Sequence, residues 1–141
     1  MDFSGLIEHA RRHSEIIAVY LFGSRSRGEQ RESSDMDIAV LFYEPVDFRF
    51  ELRLGVEIER LMGSGKVDVV NLNRQKLAFQ HRVLREGKIL YCSDELTEQR
   101  FRERVIREFC DFEPLLRRYY RDLEHSLREE FFPYAGSSKN Q

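Results

Sequence analysis

GSRSRGEQRESSDMDIAVLF, residues 23–42, decides how this chain folds. The glycine-serine pair follows directly on IIAVYLF, 16–22, a β-branched and aromatic run of strand length. A polar stretch, 24–34, carries Gly28 and reads as a loop with at most a short turn of helix. DMDIAVLF, 35–42, is a second strand. The connection is too short for a crossover helix, so the two strands are expected side by side and antiparallel.

Alternate side chains of a strand point to opposite faces. Asp35 and Asp37 therefore share one face, about 7 Å apart, while Met36 and Ile38 turn towards a core. Two carboxylates on one face repel each other, and without a partner one of them tends to protonate. A divalent cation removes that conflict. Mg²⁺ takes a few carboxylates together with water and substrate phosphates, which suits this geometry. Gly23 at the strand end lets backbone approach a ligand closely, and free N–H groups in such a turn receive phosphate. The Ser24 hydroxyl adds a donor. Arg25 and Arg27 are either phosphate ligands or solvated loop charges. A third acid, Asp68, lies in KVDVVNL, 66–72, among valines. An acid in an apolar strand is costly unless it is paired or functional. If this strand lies beside 35–42, Asp68 reaches the same site. Three carboxylates hold two Mg²⁺ ions about 3.5–4 Å apart, the arrangement of in-line phosphoryl chemistry. The competing reading of Asp68 is a strand-end acid in a salt bridge.

The rest of the chain supplies the frame. A short helix is expected over 4–13, capped by Ser4. Phe50, Leu54, Ile58 and Leu61 recur at helical spacing within 47–62, and GSG, 63–65, makes the turn that follows. A helix over 74–86 is expected to close on Gly87 as a left-handed cap. KILYC, 88–92, is a fourth strand. From Asp94 onward the pattern is helical, with a stripe through Val105, Phe109, Phe112, Leu116, Tyr119, Leu123 and Leu127. Pro114 predicts a kink or break in it. The whole reads as an α/β or α+β layer fold: a small mixed sheet, helices packed on it, and a C-terminal helical extension. The expected organisation is a core over 1–93, a helical extension over 94–132 packed on it within the same domain, and a loose tail over 133–141.

Composition narrows the function. Hydrophobic residues make up 41% and charged residues 34% of the 141, a folded rather than disordered balance. A net charge of −2 gives no case for direct nucleic-acid binding. No run approaches the roughly 20 apolar residues of a membrane span, and MDFSGLIEHARRH lacks the pattern of a signal peptide, so a cytoplasmic location is expected. Cys92 and Cys110 are expected to be free thiols, buried or half-buried. Glu29 stands where a P-loop starting at Gly23 needs lysine, and GSGK at 63–66 is preceded by Arg60 where its first glycine belongs. A calcium loop fails at Ala39 and Val40. His9 and His13 have the spacing of a zinc pair, yet no third ligand is evident and Ala10 stands where the metalloprotease motif needs Glu. They read as surface histidines. The interleaved Arg and Glu of 98–108 read as a solvated face.

Gly-Ser, ten residues, Asp-hydrophobic-Asp-hydrophobic, then a later Asp in an apolar strand: this pattern resembles the polymerase-beta-like nucleotidyltransferase superfamily. GSRSRG and SDMDIAV resemble its small members, the minimal nucleotidyltransferases (MNT). RVLREGKILY, 82–91, and FRERVIREFCDFEPLLRRYY, 101–120, resemble the C-terminal part of MNT antitoxins paired with HEPN-domain toxins. The resemblance implies a nucleotidyltransferase-type sheet and transfer of AMP from ATP to a tyrosine of a HEPN RNase toxin, silencing it. It implies Gly23 and Ser24 as the phosphate-binding pair, Asp35 and Asp37 as metal ligands, and Asp68 as the third carboxylate. Arg27 falls at the Arg-Gly of the family's Gly-Ser-x-x-Arg-Gly, and Arg25-Ser26 departs from its usual middle pair. Two alternatives stand beside it: transfer to a small hydroxylated molecule, and an antitoxin acting by steric masking alone. A chain this short leaves little room for an acceptor pocket, while a C-terminal helix can dock a partner protein.

Overall fold

The computed structural model describes residues 2–23, 36–63 and 67–131, with side chains as far as 129. Helix α1 spans Ser4–Arg11, strand β1 Ile16–Phe22, β2 Met36–Phe42, α2 Phe48–Met62, β3 Val67–Asn71, α3 Leu77–Glu86, β4 Lys88–Cys92 and α4 Glu95–Phe131. A single turn of 3₁₀ helix, Leu72–Arg74, precedes α3. Of the described elements, the four strands form one sheet in the order β3-β2-β1-β4.

The connections dictate that order. β1 and β2 pair antiparallel, as their short link requires, with Phe22 opposite Asp37 and Leu21 opposite Ile38. α2 intervenes between β2 and β3, and these strands pair parallel. β4 returns antiparallel on the other side of β1. β1 and β2 are therefore central and covered on both faces, which explains their unbroken apolar runs. Leu6, Ala10, Leu54 and Ile58 of α1 and α2 close one face over Val19, Leu21, Ile38 and Val40. Val83, Leu84 and Val105 close the other over Tyr20, Phe22, Ala39 and Leu41. A register shift between Ile16 and Ala18 puts Ile17 and Ala18 on the same side, breaking strict alternation there.

By internal contacts the chain divides into two compact units, Met1–Val105 and Ile106–Gln141. In the first, Val105 is buried and Phe101 packs against the core. In the second, Phe112, Tyr119, Leu123 and Leu127 of the apolar stripe are exposed, as are Leu115 and Tyr120 beside it, while Phe109 and Leu116 are half-buried.

Several local expectations are corrected. Ser4 does not cap α1: it is the first helical residue, and its N–H donates to Asp2 Oδ1 at 2.9 Å. The helix ends at Arg11, before His13. α3 starts at Leu77 rather than 74, because Asn71 caps the intervening 3₁₀ turn by accepting from Asn73 N–H. Gly87 is extended, with φ −79°, rather than left-handed. It is glycine for another reason: a Cβ there would lie 2.5 Å from the Val83 carbonyl oxygen and 3.1 Å from that of Leu21. The left-handed helix end is at Gly63, φ +80°, closing α2. Pro114 lies inside α4 without ending it. The Glu113–Arg117 ion pair spans the proline turn. Cys110 is exposed, and only Cys92 is half-buried.

The 98–108 segment is not uniformly solvated. Glu98 is 4% exposed, accepting from the buried Tyr20 hydroxyl at 3.1 Å and from Arg102 Nε at 2.9 Å. Arg102 also donates to the Leu84 carbonyl oxygen at 3.0 Å. Burial, reinforced by the Glu98 carboxylate, pushes the Tyr20 phenol far above its usual pKa. The start of α4 is held as well: Asp94 accepts from Thr97 N–H, from the Thr97 hydroxyl and from the Tyr43 hydroxyl. These bonds, the Thr97 hydroxyl first, keep the Asp94 carboxyl below its ordinary pKa.

Candidate active site

The site is built where β1 ends and β2 and β3 begin. Met36 and Ile38 are anchored in the core on the α1/α2 side, and this turns Asp37 to the opposite face. Val67 and Val69 pack on the same side as Met36 and Ile38 and turn Asp68 the same way as Asp37. Parallel pairing sets Met36 beside Val67, Asp37 beside Asp68 and Ile38 beside Val69. The two acids thus occupy matched positions on adjacent strands, about 4.8 Å apart at the backbone. Asp37 is half-buried and Asp68 exposed.

Gly23 completes the corner. Its φ is +87°, in the region that L side chains avoid. A Cβ built on it would overlap Asp37 Oδ2 and lie 3.4 Å from Asp37 Cγ. The chain therefore passes directly against the Asp37 carboxylate, and any side chain at position 23 would fill that space. Phe22, cross-strand partner of Asp37, meets Phe79 of α3 edge-on at 5.4 Å, forming an apolar wall behind the acid.

Gly23, Asp37 and Asp68 are the members of the expected site that the structure brings together. Ser24, Arg25, Arg27 and Asp35 lie outside the described residues. One sequence argument loses its force: β3 is an edge strand and Asp68 is exposed, so no burial penalty singles it out. Register does so instead. Among the described residues Asp68 has no ion-pair partner. Phe22 and Phe79 carry no local signal that would mark them as site-lining; only strand pairing reveals them.

Two carboxylates beside a side-chain-free corner suit a divalent cation with attached phosphates. The donor set is all oxygen, as Mg²⁺ requires, and the corner leaves room for an anion to approach the backbone. Residues 5–96 match the model of the family described as polymerase beta, nucleotidyltransferase. The chain belongs to that family. A nucleotidyltransferase of this family takes a nucleotide as substrate. Among its relatives is the protein adenylyltransferase MntA of Aphanizomenon flos-aquae, 28% identical over 122 residues, covering 78% of this chain and 79% of the relative. A crystal structure of a toxin-antitoxin complex with AMP-PNP contains a chain with TM-score 0.76 and 25% identity, the match covering 88% of this chain and 99% of that one. The MNT antitoxin in complex with a tri-AMPylated HEPN toxin of Shewanella oneidensis shares the nucleotidyltransferase fold, with TM-score 0.63 at 23% identity over 81% of this chain and 87% of that one. Among the described residues, no helix is long and apolar enough to cross a membrane.

Proposed function

We propose that this chain is a cytoplasmic, Mg²⁺-dependent antitoxin that transfers AMP from ATP to a tyrosine hydroxyl of a HEPN-family RNase toxin and so neutralises it. The observation that carries this reading is the register pairing of Asp37 with Asp68 beside Gly23. Asp37 and Asp68, with Asp35 from the sequence motif, would hold the cations. Bound Mg²⁺ would supply charge neutralisation for the triphosphate and a lowered pKa for the attacking hydroxyl. Asp68, the more exposed acid, would take the tyrosine proton. The tyrosine oxygen then attacks the α-phosphorus in line, and pyrophosphate leaves. Gly23, with Ser24 and Arg27 assigned by the motif, cradles the phosphates. The core over 1–93 would carry the chemistry and the 94–132 extension the partner. The exposed apolar face of α4, with Phe112, Tyr119 and Leu123, supports a partner that is itself a protein.

The test incubates the purified chain with a candidate HEPN-family partner, ATP and Mg²⁺, and reads the intact mass of that partner. One or more adenylyl additions are expected with the wild type and none with Asp37→Asn or Asp68→Asn. Transfer retained by both variants refutes the site. Toxin neutralised by variants that transfer nothing points to masking instead.

A further inference from the structure

A second cluster of ligand-bearing side chains lies on the other side of the sheet. His9 is in the last turn of α1, His13 just beyond it, and Glu57 on α2. One ligand atom from each falls within 4.8 Å of the other two, and all three residues are partly buried. Among the described residues this is the one group of three or more His, Cys, Asp or Glu with such a convergence. His9 Nε2 and Glu57 Oε2 are 2.6 Å apart, and the two imidazole rings meet edge-on at 4.8 Å. A second carboxylate, Glu15 Oε2, lies 3.9 Å from His13 Nδ1. Phe50 closes the far side of the His13 ring at 5.6 Å.

We propose that His9, His13 and Glu57 form a binding site for a borderline divalent cation of the Zn²⁺ class, with a fourth position open. Two imidazoles and one carboxylate are a donor set that suits zinc and is too nitrogen-rich for Mg²⁺. Tetrahedral bonds of about 2.0–2.2 Å place ligand atoms about 3.4 Å apart. The present spacings straddle that value: the His9–Glu57 pair must open and His13 must close in. Two carboxylates flanking two imidazoles make the pocket attractive to a cation before any ligand moves. α1 has eight residues, too few to be stable alone, so a metal bond from α1 to α2 would fasten it to the core. Asp37 and Asp68 are on the opposite sheet face, so the two sites load independently.

The sequence spacing of His9 and His13 lacked a third ligand. Glu57 supplies it from 44 positions past His13, visible only once α1 packs on α2.

The test uses the full-length chain without an affinity tag, stripped with a chelator and titrated with Zn²⁺ against a chromogenic competitor, with bound metal counted after gel filtration. One zinc per chain is expected in the wild type and in the Asp37→Asn/Asp68→Asn double variant. Loss of the zinc is expected in His13→Asn and in Glu57→Gln. Zinc retained by either single variant, or absent from the folded wild type, overturns the site. Should either single variant fail to fold, Co²⁺ added to the double variant decides: intense visible bands of four-coordinate cobalt are expected, and the weak spectrum of the six-coordinate aquo ion overturns the proposal.

Discussion

Replacing Gly23 with alanine separates the two reasons for a glycine at this corner. The first is backbone: φ is +87°, and an L residue there costs about 1–2 kcal/mol. The second is contact: the new Cβ would overlap Asp37 Oδ2, so the carboxylate must swing aside. Overpacking costs about 1–3 kcal/mol, nearer the lower figure where the displaced group is half-buried and can rotate. The combined cost, about 2–4 kcal/mol, is smaller than the roughly 5–15 kcal/mol that holds a domain folded. The variant therefore folds. Its activity is expected to fall far more, because on the proposed site Asp37 holds the cation, and displacing such a group by about 1 Å costs on the order of a hundredfold in rate. Asp37→Ala removes Oδ2 and Cγ and leaves only Cβ, 3.6 Å from the built Cβ at position 23, an ordinary contact. Urea unfolding of the wild type, the two single variants and the double variant then gives a coupling energy. Gly23→Ala is expected to cost the full amount in the wild type and only the backbone part when Asp37 is already alanine. Equal costs in both backgrounds, or near-wild-type transfer by Gly23→Ala, would refute the account of this corner.

The remaining predictions concern the buried polar network. Glu98→Ala leaves the buried Tyr20 hydroxyl without its acceptor and Arg102 with the Leu84 carbonyl alone, and is expected to cost about 1–3 kcal/mol in urea unfolding, whereas Glu103→Ala, on an exposed position of the same helix, stays within about 0.5 kcal/mol. Because the folded-state pKa of Tyr20 is raised, the unfolded chain alone loses that proton above about pH 10, so stability falls there by about 1.4 kcal/mol per pH unit. Tyr20→Phe removes this slope. An unchanged alkaline slope in the variant contradicts the assignment.

Much of the architecture was legible in the order of residues. Ile16–Phe22 and Lys88–Cys92 coincide with their strands, and 47–62 with α2 and its Asp47 cap. These are local properties: β-branched runs, helical spacing and cap chemistry act within a few residues and need no fold to be read. The proximity of Gly23 to Asp37 was readable too, because two strands joined by a short link have one way to pair. Where long-range packing competes with a local preference, the reading fails. Gly87 looked like a left-handed helix cap, yet it is extended, and its Cβ would lie 2.5 Å from the Val83 carbonyl oxygen and 3.1 Å from that of Leu21, on a strand 66 positions earlier. Glu98 and Arg102 looked like surface charges until Tyr20 and the Leu84 carbonyl came within hydrogen-bond reach.

The sequence by itself determined the elements, the glycine corner and the acids available to it, since each depends on neighbours along the chain. Tertiary structure decided that residue 68 stands beside residue 37, that Glu98 is buried, and that residue 57 meets two histidines. Strand register and helix packing are sums over contacts between distant segments, and no local pattern carries that sum.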